Sequence, residues 1–292
     1  MPNFSSHSMR SLLFVPGDQP RKIAKSWQSG ADCVVLDLED GVVANQKMVA
    51  RQAVDHTLAS LPSGLPHVLV RINGNPSEWK EDLDYAIHPG VFGLMAPKCA
   101  SATDLIELDR ALQSAEQRRG IVGRPIRLFL LIETARGLLN LPSLVAASDR
   151  TAGLALGAED LCLDMGINRT RGGAELIFAR WQIALSARAN GLAAIDAVFT
   201  DFEDSDGLWQ DTRIARNMGF TGKLAIHPRQ IGAIHSVFAP DESEIGEARA
   251  ALAAFELAQA SGTGTVAFDG KMIDEPIAQR LREILRRAQE GQ

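Results

Sequence analysis

Hard oxygen donors stand just beyond short apolar runs at several points in the chain: Asp37, Glu39 and Asp40 in DLED, Glu133 in LIET, and Glu159 with Asp160 in LGAEDL. No CxxC, paired histidine or HExxH accompanies them, so Glu133 and Asp160 make a donor set suited to Mg²⁺, for which Mn²⁺ could substitute. Magnesium keeps several waters and substrate oxygens, so two carboxylates suffice, and Glu39 or Asp40 could hold a coordinated water. Arg71 in VRIN adds a planar cation that fits a carboxylate or a developing enolate oxygen. It would be costly to bury alone, so it pairs with the DLED acids, meets an anionic substrate, or does both. For any single acid, Asp160 above all, the competing role is to cap the following helix.

Two further residues are open to more than one reading. Lys98, after Pro97, could form a Schiff base with a keto acid, which would make a metal-free aldolase. The neighbouring carboxylates favour a charge partner or anion contact instead. His227 in IHP suits ligand binding, acid/base work or a plain packing and turn role. The sequence has no GxxxxGK[ST], no GxGxxG after its first strand and no GxSxG, which disfavours nucleotide-loop, Rossmann and serine-hydrolase readings.

The elements that must position these groups alternate. Apolar runs with strand character cover Ser11 to Pro16, Cys33 to Leu38, His67 to Ile72, Val91 to Ala96, Ile126 to Ile132, Ala152 to Leu156, Ala194 to Phe199 and Lys223 to Ile226. Helical spacing follows each, over Arg21 to Gln28, Gln46 to Ala59, Ser77 to Ile87, Thr103 to Arg118, Leu138 to Ala147, Glu175 to Asn190, Asp206 to Met218 and Pro228 to Phe238. This pattern predicts an α/β (β/α)8 TIM barrel over residues 10–238, with a doubly wound open sheet as the competing fold. The polar residues sit at the C-terminal ends of the strands, where barrel enzymes build their sites. Residues 239–292 read as a C-terminal extension: a helix over Asp241 to Ala260, a Gly-rich loop SGTGTVAFDGKMID, and a helix from Glu275, with the loop serving as a lid or as a linker.

Composition narrows the class. Thirty Lys and Arg against 36 Asp and Glu leave a net charge of −6 and no basic stripe, so no nucleic acid is expected as a partner. An unbroken apolar run such as Leu128 to Ile132 falls far short of the roughly 20 residues of a membrane-spanning helix, and no membrane anchoring is expected. The polar start, MPNFSSHSMR, reads as a frayed leader rather than a signal peptide. The three cysteines, Cys33, Cys99 and Cys162, read as free packing thiols in a cytoplasmic protein.

RSLLFVPGDQP, GADCVVLDLEDGV, VRIN, PK, LIETARGLLN, LALGAEDL, GFTGKLAIHPRQI and DGKMIDEP stand in this order from residue 10 to about 280. This ordered set resembles the citrate lyase β-subunit-like family, within the HpcH/HpaI aldolase and citrate lyase superfamily that includes malyl-CoA and citramalyl-CoA lyases. The resemblance implies a barrel with a C-terminal lid, assembled as a homotrimer or hexamer, that cleaves a β-hydroxyacyl-CoA to an acyl-CoA and a 2-keto acid. It implies that Glu133 and Asp160 hold Mg²⁺, that Arg71 faces the substrate and that Glu39 supports them. Asp274 of KMID would be the acid/base residue, delivered by a neighbouring subunit's lid, although it could equally cap the helix at Glu275. For the CoA portion it points to Phe14, Pro16, Lys25 and His227. The alternatives are an aldolase acting on free hydroxy-keto acids, a subunit of a lyase complex working on a thioester held by an acyl-carrier subunit, and a CoA thioesterase using the same site.

Overall fold

Along each barrel strand the side chains alternate between the barrel interior and the surrounding helices, because successive residues of an extended chain face opposite ways. In the computed structural model, which describes residues 9–62, 64–123 and 125–290, this alternation selects one interior set. It comprises Leu12 and Phe14, Cys33 and Val35, Leu69, Met95, Phe129 and Leu131, Ala155, Ala193 and Ile195, and Leu224. Continued by one step, the columns arrive at Asp37, Arg71 and Glu133, so the site residues sit directly above the apolar core.

The strands are β1 (Ser11–Pro16), β2 (Cys33–Asp37), β3 (His67–Arg71), β4 (Gly93–Ala96), β5 (Arg127–Ile132), β6 (Thr151–Leu156), β7 (Ala193–Asp196) and β8 (Gly222–Ala225). Each pairs in parallel with the next, and β8 returns to β1 through Leu12 opposite Leu224, which closes an eight-stranded barrel. The open-sheet alternative is thereby excluded. The register sets Asp37 opposite Arg71 across β2 and β3, and Pro16 opposite Asp37 across β1 and β2.

Local differences from the sequence reading have local causes. The expected helix over Leu138 to Ala147 is two short helices, Ala135–Leu139 and Leu141–Val145, split where Pro142 enters the first turn of the second. A helix not anticipated, Ala158–Asp164, starts immediately after β6 and carries Glu159 and Asp160 in its first turn. The Gly-rich tail segment is partly a hairpin, β9 (Val266–Phe268) against β10 (Lys271–Ile273). Asp269 and Gly270, with φ of 47° and 71°, make the two-residue turn, and this double left-handed geometry is the type that suits a hairpin's twist.

The chain divides into two compact units, Met1–Ile234 and His235–Gln292. The second builds a small core of its own. Ala251 and Phe255 from the helix Glu242–Ala260 pack with Ile273 of the hairpin and Ala278 of the helix Glu275–Glu290. A capping box starts the longer helix: the Asp241 carboxylate accepts from Glu244 N at 2.8 Å, while the Glu244 carboxylate accepts from Asp241 N at 3.1 Å. Among the described residues no helix is long and apolar enough to cross a membrane.

Candidate active site

At the end of β2, Asp37 accepts from Arg71 Nε at 2.7 Å and Nη2 at 2.6 Å, a two-pronged ion pair that fixes the guanidinium plane. The same carboxylate accepts the backbone N–H groups of Glu39 and Gly41, each at 2.9 Å, and so folds the DLED loop back over the strand end. Gly41 has to be glycine, because a Cβ there would lie against Asp37 Oδ2. Lys47 ties the loop down from outside, donating to the carbonyls of Leu38 and Glu39, both at 2.7 Å, and to Asn73 Oδ1 at 2.6 Å.

This framework buries Glu39 between two cations. Its Oε1 lies 3.0 Å from Lys98 Nζ and its Oε2 lies 3.2 Å from Arg71 Nη1. The second contact lacks hydrogen-bond geometry, so Glu39 Oε2 is a buried oxygen with no hydrogen bond. Burial pushes the Glu39 carboxyl above its ordinary value, with Arg71 and Lys98 opposing. Burial also penalises the two cations, but their acidic partners outweigh it and hold Arg71 and Lys98 above their usual values.

Lys98 joins this group to the next. Its backbone is left-handed, with φ of 53°, which is rare for a residue with a side chain. That conformation accompanies a 2.6 Å hydrogen bond from its N–H to Glu133 Oε1 while its side chain reaches Glu39. Glu133 is almost wholly buried, and its carboxyl is pushed up to about 8 by burial first and then by the negative charges of Glu39 and Asp160. Gly157 admits it: a Cβ at that position would stand 2.5 Å from both Cβ and Oε2 of Glu133.

Asp37, Arg71, Glu133 and Asp160 line one cavity of about 370 Å³, together with Asp40 and Glu159. Phe14, Leu131, Leu156, Val198 and Leu224 supply its apolar wall, and the Phe14 ring centre lies 4.7 Å from Arg71 Cζ. Among the described residues no three His, Cys, Asp or Glu side chains converge into a complete metal cage. What the site does offer is hard oxygen. Glu133 and Asp160 are the pair that could hold a divalent cation, and the mutual repulsion that raises Glu133 is the imbalance a cation would relieve. Glu39, with its unbonded oxygen, stands beside them.

Of the residues matched to the CoA portion, Phe14 and Pro16 line the cavity. Lys25 is exposed on the helix Pro20–Ser26 and His227 lies outside the lining. The His227 ring stacks on Phe202 at 5.0 Å and accepts from Arg229 N at 3.2 Å, while Gln230 holds the loop by accepting from Ile226 N at 2.8 Å. Asp274 belongs to the second unit, where its carboxylate accepts from Ile277 N at 3.1 Å and caps the helix Glu275–Glu290. Lys98 Nζ is engaged with Glu39, in keeping with a charge partner. The Asp37 pair realises the expected match of Arg71 with the DLED acids, whereas the positioning roles of Lys47 and Gly157 escaped the sequence reading, since a contact across strands leaves no local signal.

Comparison with known proteins agrees with this geometry. The family described as HpcH/HpaI aldolase/citrate lyase matches residues 10–228. The chain is 36% identical over 283 residues to citrate lyase subunit beta of Leuconostoc mesenteroides subsp. cremoris, covering 96% of this chain and 93% of the relative. It is 35% identical over 287 residues to the mitochondrial citramalyl-CoA lyase of Mus musculus, covering 94% and 85%. The crystal structure of protein CitE from Mycobacterium tuberculosis, in complex with magnesium, acetoacetate and coenzyme A, superposes with a TM-score of 0.81 at 35% identity, covering 96% of this chain and 98% of that one. With a closed barrel, an acid-rich cavity at its strand ends and relatives matched over nearly its whole length, this chain belongs to the HpcH/HpaI aldolase/citrate lyase family.

Proposed function

We propose that the protein is a Mg²⁺-dependent carbon–carbon lyase that splits a β-hydroxyacyl-CoA of the citryl-, malyl- or citramalyl-CoA kind into an acyl-CoA and a 2-keto acid. The observation that carries this reading is one cavity holding the Glu133 and Asp160 carboxylates beside a fixed Arg71. The names of the relatives and the magnesium and coenzyme A of the CitE complex support it.

Glu133 and Asp160 would hold the metal, which when bound supplies a Lewis acid for the substrate's hydroxyl and carboxylate oxygens. A base removes the hydroxyl proton, and the oxygen's electrons form the keto carbonyl as the carbon–carbon bond breaks. The electron pair of that bond passes to the thioester fragment as its enolate, which then takes a proton on carbon to give the acyl-CoA. The proton count balances, and condensation is the reverse. Arg71, oriented by Asp37, faces the developing enolate charge, and Asp274 serves as acid/base from the lid of a neighbouring subunit in a homotrimer or hexamer. Phe14 and Pro16 border the thioester, with Lys25 and His227 toward the nucleotide end.

The test is to strip the protein with EDTA and incubate it with malyl-CoA and citramalyl-CoA, with and without Mg²⁺, following products by mass. Acetyl-CoA and keto acid appearing only with Mg²⁺ is the expected result. Free CoA with an intact hydroxy acid would make the protein a thioesterase instead. Turnover of only a carrier-bound thioester would make it a subunit of a larger lyase working in the cytoplasm.

A further inference from the structure

Among the described residues, Lys98 and Asp269 are the two other than glycine with a positive φ. Asp269 sits in the hairpin turn that calls for this conformation. Lys98 lies in the link between β4 and the helix Ala102–Arg118, outside any hairpin, and its side chain is 44% exposed, so enclosure in a core does not account for its backbone. Glycine would adopt the same φ without strain. A lysine held there points to a side chain that is used along with the backbone.

The torsion φ sets the angle between a residue's N–H and its Cα–Cβ bond. At Lys98 it aims these two groups at two different acids: the N–H donates to Glu133 Oε1 at 2.6 Å, and the ammonium donates to Glu39 Oε1 at 3.0 Å. The stem between them runs against Gly74 in the loop after β3, where a Cβ would stand 3.1 Å from Lys98 Cδ and 3.4 Å from Glu39 Oε1. With Oε1 of Glu133 taken by the N–H, its Oε2 lies against Gly157, at the start of the helix that carries Asp160. The carboxylate is thus fixed from both sides, and Oε2 is the oxygen on the side of the Asp160 helix.

We infer that Lys98 is a positioning residue with two separable functions: its left-handed backbone sets the Glu133 carboxylate for the metal, and its ammonium holds Glu39 in place. The second function rests on the proposed lyase reading, while the first is measured by metal binding without turnover. Lys98→Gly, Lys98→Met and Lys98→Val all remove the charge but differ in how well they accept a positive φ, glycine best and β-branched valine worst. Calorimetric titration of the full-length protein with Mg²⁺ should give Lys98→Gly and Lys98→Met affinities within about threefold of each other, with Lys98→Val at least about tenfold weaker than either. A role through charge alone predicts three equal affinities, and that result overturns the backbone function. If Lys98→Val does not fold, nuclear magnetic resonance of the parent decides instead. With isotope-labelled lysine and bound Mg²⁺, the Lys98 amide proton should lie downfield of the other lysine amides and exchange slowly with solvent, whereas an ordinary shift with fast exchange overturns the backbone function. With malyl-CoA or citramalyl-CoA at saturating Mg²⁺, Lys98→Gly and Lys98→Met should each lose about 10- to 100-fold in kcat/KM. Parental turnover in Lys98→Met overturns the hold on Glu39. If the parent itself cleaves no thioester, the lyase reading fails and the Glu39 function falls with it, while the metal titration and the amide resonance still decide the backbone function.

Discussion

Asp37 and Arg71 face each other across β2 and β3, and both oxygens of the carboxylate grip the guanidinium, at 2.7 and 2.6 Å. Arg71 therefore enters the cavity already oriented. Asp37→Asn keeps the size of the side chain but removes the charge and one of the two acceptors. We expect kcat/KM to fall about 10- to 100-fold, as for other groups that orient a site residue, with Mg²⁺ affinity much less affected. Activity within about twofold of the parent would show that Arg71 needs no such partner.

Gly157 leaves just enough room for Glu133. Gly157→Ala would put a methyl 2.5 Å from the Glu133 carboxylate oxygen, so the carboxylate must move. Loss of about 10- to 100-fold in Mg²⁺ affinity is the expected outcome, read by direct titration of the metal. Unchanged affinity would separate Glu133 from the metal.

The Glu133 carboxyl, held up to about 8, binds a proton at neutral pH when no metal is present. A metal ligand must be ionised, so Mg²⁺ binding should release close to one proton at pH 7. Apparent affinity should climb with pH by up to about tenfold per unit and level off above about 8. Calorimetry in buffers of different ionisation enthalpy measures the proton directly, and a pH-independent affinity would contradict the assignment. Stability of the metal-free protein runs the other way. The folded state holds this proton more tightly than the unfolded chain does, so the Glu133 contribution falls as pH rises from about 4.5 toward about 8.

Asp274→Ala tests the acid/base assignment apart from metal binding. Turnover should drop by about 10²-fold or more while Mg²⁺ affinity stays near that of the parent. Because Asp274 also caps a helix, Asp274→Asn is the control: asparagine preserves the cap, so a loss of turnover shared by both variants is chemical. Full activity in Asp274→Ala would remove the residue from the mechanism.

Away from the cavity, Arg180 and Lys223 are buried against Asp196 and Asp211, with Lys223 Nζ at 2.5 and 2.7 Å from the two carboxylates. Lys223→Met would leave buried negative charge poorly compensated. Urea unfolding should show a loss of about 3 kcal/mol or more, with kcat of the folded fraction unchanged. Burial works against ionised Asp211, but Lys223 and Arg180 outweigh it and hold its carboxyl below the ordinary range. This stabilisation is therefore present above the ordinary carboxylate pKa and is lost as pH falls through the lower folded value.

The sequence by itself determined the barrel and the general location of its chemistry. An apolar run of strand length is a local pattern, and so is an acid placed just beyond it; DLED, LIET and LGAEDL carried both. The Asp-Gly turn of the hairpin is an equally local signal. Tertiary structure decided which charges meet. Asp37, three residues before Asp40 in the chain, is the partner of Arg71 because strand register sets the two side by side. Lys98 reaches Glu133 through its backbone N–H in a conformation that nothing in the Pro-Lys pair announces. The lack of a Cβ at Gly157 matters only because Glu133 comes to lie against it. These relationships depend on how neighbouring strands are staggered around a closed barrel, and stagger is fixed by the packing of the whole sheet rather than by any one segment.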